Sequence, residues 1–427
     1  MDVQALAVPR VLQRDRTTRI ASPWAVAAIV AVFYTLLTVP GLIGNPYQFI
    51  NIGRQYHTKG TSSTAIAHAK PIDDRIGYDG QFYYFLAVDP KHGSDYMDEP
   101  GVIYSRIGYP MTVRALSGNN TSVIPYMMVL VNILAAVGGT LAVAFFLRRH
   151  RLPPALALIY GFFPGLALAV LRDLTEPLAF ALAAAGLVVF DPRSKRRLFA
   201  SALLFGMAML TRETVALFPA ILAVGLLVGV GRGSAWRERL GVGNLVRAAA
   251  FAELAFAPLF FWRHLLTTVV LPNTAVQEPF VSGEHHVAAG KAGAAIAALL
   301  PFHAIAAQWP WTGEDVTNLF TIFLPALLWA GIAVALLRRK LTLEPWFVIA
   351  NVAIFVVFLP TPIGVDYGSL GRASIGVLLA VLVTLPQVVS LLGDRARFAL
   401  RTLALWSLPF YLVLAILLNA LGPKYVW

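Results

Sequence analysis

Cysteine is absent from the 427 residues, which excludes disulfides, thiolate metal sites and a cysteine nucleophile. Charge is scarce at 13%, against about 25% in an ordinary globular chain. Acids are scarcer still, with Asp+Glu 22 against Lys+Arg 34 and a net charge of +12. No repeat with a period of 20–50 residues runs along the chain, which excludes solenoids and propellers. Neither a dinucleotide fingerprint nor a phosphate loop is present, and Gly290-Lys291 lacks the Gly-rich pattern, so nothing supports a cytosolic nucleotide donor. What is abundant is apolar sequence: 58% of residues are hydrophobic and mean hydropathy is +0.69. A soluble chain of this length could not enclose that much apolar surface. A soluble enzyme, a secreted disulfide scaffold and a disordered chain are excluded, and a polytopic all-α membrane protein is expected.

A spanning helix needs about 20 apolar residues. By that measure eleven spans are expected, near 23–43, 123–147, 153–171, 177–190, 198–211, 215–231, 246–262, 317–337, 346–362, 375–393 and 402–421. The first follows a tail (1–22) containing Arg10, Arg14, Arg16 and Arg19. No small-residue cleavage site follows it, so it is read as a retained helix and not a signal peptide. Alternate connections are the basic ones: Arg148-Arg149-His150-Arg151, Arg193 to Arg197, Arg232 to Arg247, Arg338-Arg339-Lys340 and Arg395 to Arg401. With the tail they hold 21 of the 34 basic residues but only six acids (Asp2, Asp15, Asp191, Glu238, Glu344, Asp394). This is the positive-inside pattern. It predicts a cytoplasmic N-terminus, an outer C-terminus and a basic excess that needs no nucleic acid. A single transmembrane domain (23–427) is expected, with two elaborated outer loops at about 44–122 and 263–316.

The first outer loop contains Asp73-Asp74, then Tyr78-Asp79-Gly80-Gln81-Phe82-Tyr83-Tyr84-Phe85. Phe82, Phe85, Leu86 and Val88 predict one side of a short amphipathic helix suited to the membrane interface. A second such element follows in Arg106 to Arg114. Asp79 has two readings: a helix N-cap, for which Asp is a preferred residue, and a general base held at the membrane surface. Both are compatible in one residue.

Two stretches, Leu152 to Phe190 and Leu198 to Gly231, each hold two spans with a charged interruption. These are Arg172-Asp173-Leu174-Thr175-Glu176 and Thr211-Arg212-Glu213-Thr214. In the second, roughly 15 residues remain per helix, short of the ~20 required. Arg212 and Glu213 are therefore expected at membrane depth, facing a cavity or other helices. There they are either a structural Arg–Glu pair or functional groups. Arg372, opening the tenth span, is read either as a bidentate phosphate ligand or as a snorkelling interface residue. Glu284-His285-His286 lacks the spacing that puts two ligands on one helix face, so no metal is expected.

The ordered set Tyr78-Asp79-Gly80-Gln81-Phe82-Tyr83-Tyr84, Tyr109-Pro110, Thr175-Glu176-Pro177, Leu210-Thr211-Arg212-Glu213 and Gly371-Arg372 resembles the GT-C superfamily of polytopic glycosyltransferases. It is most similar to the PIG-V-like mannosyltransferase branch and to bacterial cell-surface glycopolymer proteins. The resemblance covers the first half of the chain well and the second loosely. It implies a polyprenyl-phosphate sugar donor, a glycan or glycolipid acceptor, a plasma- or inner-membrane location with an extracytoplasmic site, and no cofactor. It places the base on Asp79, with Asp73 and Asp74 as an alternative pair, since Gly80 stands where many members carry a second acid. Asp73, Asp74, Tyr78, Gln81, Tyr109, Arg172, Glu176, Arg212, Glu213 and Arg372 are the implied substrate-binding residues. Two other classes compete. A glycolipid transporter or flippase would favour inverted repeats, which the sequence does not show. An O-antigen-type polymerase or ligase would carry its largest outer loop later in the chain.

Overall fold

Ser22 starts the first helix: its hydroxyl accepts from the Ala25 amide at 3.1 Å, and Pro23 takes the first helical position, where its missing N–H is no loss. In the computed structural model, which describes residues 22–69, 71–72, 76–229, 241–272, 318–339, 342–357 and 367–392, this helix is α1 (Pro23–Gly44). It turns Val26, Val30, Tyr34 and Leu37 inward, while Ile29, Val32, Leu36 and Ile43 stay exposed. Apolar side chains inside and outside alike mark a helix that expects lipid on one side.

The segment after α1 then forms three longer elements, α2 (Gly80–Val88), α3 (Pro100–Ser105) and α4 (Gly108–Leu116), ahead of α5 (Ile124–Arg149). A bent pair follows, Pro154–Gly161 and α6 (Pro164–Leu171), meeting at 51°. After it come α7 (Glu176–Val189), α8 (Lys195–Thr211), α9 (Leu217–Leu227) and α10 (Val242–Leu265). The later helices are α11 (Leu324–Arg339), α12 (Glu344–Val357), α13 (Tyr367–Ala373) and α14 (Ile375–Leu392). Among the described residues there is no strand beyond one isolated bridge between Ile52 and Gly77. Four helices among them are long and apolar enough to cross a membrane, or five if the bent pair is one span. The protein is therefore an all-α chain with the spans of a membrane protein.

Among the described residues the remaining expected spans are shorter. At 1.5 Å per residue the 14 residues of α7 extend about 21 Å, against a hydrocarbon core of about 30 Å. The span expected at 402–421 and most of the loop expected at 263–316 lie outside the described residues, as do Asp73, Asp74 and the 284–286 cluster.

Two apolar cores are present. The larger joins α1, α5, α7, α8, α10 and α14. The Leu370–Leu391 stretch is the most buried of the four long helices, so the residues that open it are carried to the centre of the bundle. The second core belongs to the segment between α1 and α5, where Ile50, Ile52, Tyr83, Tyr84, Phe85, Tyr96 and Tyr109 pack together and onto Met128 and Val131 of α5. Edge-to-face pairs such as Tyr83–Tyr109 (6.1 Å) and Tyr56–Phe82 (4.8 Å) build it, a geometry favoured by the ring quadrupole.

This corrects one expectation. Helix α2 is not an amphipathic interfacial helix, because all of its residues except Phe82 are buried. The aromatic side chains on its second face are covered by the other loop elements and by α5. Only α4 is one-sided, with Val113 buried and Leu116 exposed. The Arg114 guanidinium, by donating to the Ala87 and Val88 carbonyls at 2.7 and 2.8 Å, caps the C-terminus of α2.

Candidate functional site

The candidate site lies where four chain segments meet, and glycines set how closely they approach. A Cβ on Gly80 would stand 2.3 Å from the Arg172 carbonyl oxygen. One on Gly108 would stand 2.5 Å from the Thr211 hydroxyl, and one on Gly165 2.2 Å from the Gly371 carbonyl oxygen. These joints bring Asp79 against the α6–α7 junction, Arg106 against the end of α8, and Arg372 against α6. Gly77 (φ 77) turns the chain in the left-handed region that glycine tolerates and pairs with Ile52. That turn delivers Tyr78 and Asp79.

Alanine at Gly165 therefore drives a methyl into backbone that has no flexible end to move. We expect it to cost about 1–3 kcal/mol, as overpacking does, and to lower the melting temperature in detergent. Alanine at Gly138, which has open space around its Cβ, is the control and is expected to leave that temperature unchanged or raise it.

Asp79 sits at the N-terminus of α2, but it does not cap that helix. Its backbone is already helical (φ −55, ψ −28) and its side chain makes no cap hydrogen bond. The carboxylate turns instead to Arg372, 293 residues away, whose Nη1 donates to Oδ2 at 2.8 Å. Burial pushes the Asp79 carboxyl up. Arg372, by charge and by hydrogen bond, overrides this together with the fields of Arg106 and Arg212, and holds it below its ordinary value. Asp79 is thus a carboxylate at neutral pH.

The network continues through Glu176, which opens α7. Helices α7 and α8 are joined by a short turn and run antiparallel, so the start of one and the end of the other share a level. Arg212 Nη1 lies 2.9 Å from Glu176 Oε1, and Arg372 Nε lies 3.8 Å from the same oxygen. The first contact is an ion pair without hydrogen-bond geometry, since Oε1 accepts no hydrogen bond. The Thr175 hydroxyl also accepts from Arg212, at 3.4 Å.

Glu213 does not pair with its neighbour Arg212. It receives a two-pronged contact from Arg106, Nη2 to Oε1 at 2.7 Å and Nε to Oε2 at 3.1 Å, while Arg106 Nη1 donates to the Tyr83 hydroxyl at 3.3 Å. Both side chains are largely buried, at 14% and 9% exposed. Arg106 is a site residue that sequence reasoning missed. Its only signal was a lone arginine directly ahead of the Ile107-Gly108-Tyr109 turn.

Tyr78 lies beneath two guanidiniums, with Arg172 5.4 Å and Arg372 5.5 Å from its ring centroid. These are cation–π distances. Two other implied substrate ligands are placed differently. Gln81 is fully buried and its amide is spent on the loop, accepting from Gly53 N at 3.0 Å and donating to the Ile76 carbonyl at 2.9 Å. The buried Tyr109 hydroxyl donates to the Met128 carbonyl at 3.1 Å and accepts from Asn132 at 2.9 Å. Both support the loop that presents Asp79. Asp173 is fully buried, and the Asn132 side-chain amide lies 3.5 Å from its carboxylate.

Asp79, Arg372, Glu176 and Arg212 thus form one continuous chain of alternating charge, with Arg172 and Tyr78 beside Arg372. Such an arrangement can offer a carboxylate base next to a guanidinium that binds anions. Among the described residues no group of three or more His, Asp or Glu side chains is placed to hold a metal ion. The chain matches no family model, no curated protein and no solved structure with which it was compared.

Proposed function

We propose that this protein is a GT-C-type membrane glycosyltransferase that moves a sugar from a polyprenyl-phosphate donor to a glycan or glycolipid acceptor. The proposed setting is the plasma or inner membrane, with a cytoplasmic N-terminus and the site on the outer side. The observation that carries this reading is the 2.8 Å Asp79–Arg372 pair, a base candidate and an anion-binding candidate drawn together from opposite ends of the chain.

In the proposed reaction the donor enters laterally from the outer leaflet and its phosphate lies against Arg372, with Arg172 and Arg212 nearby. Asp79 takes the proton of an acceptor hydroxyl. The hydroxyl oxygen bonds to the anomeric carbon on the face opposite the phosphate. The bond from that carbon to the phosphate oxygen breaks, and its electron pair leaves with the lipid phosphate. One inversion results. Fixed cations at the departing oxygen are worth several kcal/mol in a site poor in water, and no cofactor is required for this step. Sugar identity is left to experiment, with mannose favoured by the resemblance.

The test offers the purified full-length protein in lipid nanodiscs a panel of radiolabelled polyprenyl-phosphate hexoses and pentoses with cell-envelope glycolipids as acceptors. One donor is expected to transfer its label. Movement of intact glycolipid between leaflets without any transfer of label would overturn the reading in favour of a flippase.

A further inference from the structure

Three carboxylates (Asp79, Glu176, Glu213) share this network with four guanidiniums (Arg106, Arg172, Arg212, Arg372). The carboxylates are not equally held. Glu176 and Glu213 side chains are 1% and 9% exposed, whereas Asp79 is 40% exposed. The two buried acids cannot leave their arginines without stranding charge out of contact with water, which is costly. Asp79 can, because its side chain already reaches the protein surface. It is also the only one of the three whose carboxylate contacts Arg372 at hydrogen-bond distance. Arg372 in turn has a second anchor in Glu176 at 3.8 Å and the Tyr78 ring at 5.5 Å, so it holds its place when Asp79 moves away.

We infer that Asp79 is a displaceable plug on its own anion site: it occupies Arg372 at rest, and an arriving phosphoester takes over that guanidinium and sets the carboxylate free. The inference rests on the proposed transferase reading and adds regulation to it. The phosphate oxygens and the Asp79 oxygens compete for the same N–H groups. Donor binding therefore withdraws the counter-ion that makes Asp79 a poor base, and does so only when a sugar phosphate is in place. With the site empty, the acid stays paired and idle.

The test is equilibrium binding of a short-chain polyprenyl phosphate, citronellyl phosphate, to the full-length protein in nanodiscs, with inorganic phosphate measured alongside. Removing a competing charged hydrogen bond, worth roughly 1.5–3 kcal/mol, is expected to tighten binding at least about tenfold in Asp79→Asn. Asp79→Ser is measured in parallel and is expected to do the same. Asp98→Asn removes an equal charge from the exposed Lys59 pair and is expected to leave binding unchanged. Equal or weaker binding in both Asp79 variants overturns the plug, as does equal tightening in Asp98→Asn. Tightening by citronellyl phosphate alone assigns the site to the lipid, and tightening by both ligands assigns it to the phosphate group; either supports the plug. If no donor is ever turned over yet both Asp79 variants bind more tightly, the plug stands and the transferase reading fails.

Discussion

Replacing Asp79 with Asn is expected to lower sugar transfer by roughly 10²–10⁴-fold, the usual contribution of a positioned general base, while the protein folds and inserts as before. The two halves of that expectation have separate physical sources. Asn has the shape of Asp but cannot take up the acceptor proton. The fold is spared because the Asp79 side chain reaches the protein surface, at 40% exposed, and the Asn amide oxygen can still accept from Arg372. Arg372 also keeps Glu176 as a counter-charge. The measurement is transfer of label under saturating donor, with size-exclusion behaviour and melting temperature as controls. Full activity in a well-folded Asp79→Asn protein would remove Asp79 from the role.

The second large effect is on stability. Glu176→Gln is expected to destabilise the protein by about 3–5 kcal/mol, the cost of stranding a buried partner. Here Arg212 loses its 2.9 Å counter-charge, while Arg372 keeps Asp79 at 2.8 Å. Arg212 and Arg372 side chains are only 12% and 13% exposed, and Glu176 is 1% exposed. A domain is stable by about 5–15 kcal/mol in all, so the loss is a large part of the total. The expected readout is a clear fall in melting temperature in detergent, larger than that of Asp79→Asn. An unchanged melting temperature would mean that the buried arginines find another counter-charge and that the network does not hold the helices together.

The contrast between the two acids follows from burial, which the sequence reveals only in part. The charged interruptions were readable because charge is rare within apolar runs, and they mark Arg172, Glu176, Arg212 and Glu213. Their partners were not readable. Arg212 and Glu213 are neighbours in sequence, but Arg212 has extended backbone (φ −158, ψ 121) at the end of α8, where successive side chains point to opposite sides. Each therefore pairs elsewhere, Arg212 with Glu176 and Glu213 with Arg106 across 107 positions. The N-cap reading of Asp79 rested on local propensity, and a guanidinium 293 residues away outweighs it. Helix α2 looked one-sided by its period, but period does not record what covers the other face. The central place of α14, by contrast, agrees with its continuous apolar run.

On the proposed reading Asp79 and Arg372 act as one site. A double-mutant cycle on transfer rate, using Asp79→Asn, Arg372→Gln and the pair together, tests this most directly, since residues that act as a unit are strongly non-additive. The predicted result is that each single change abolishes most transfer and the double change costs little beyond the worse of the two. Losses that simply multiply, or a single change that leaves transfer intact, would contradict it.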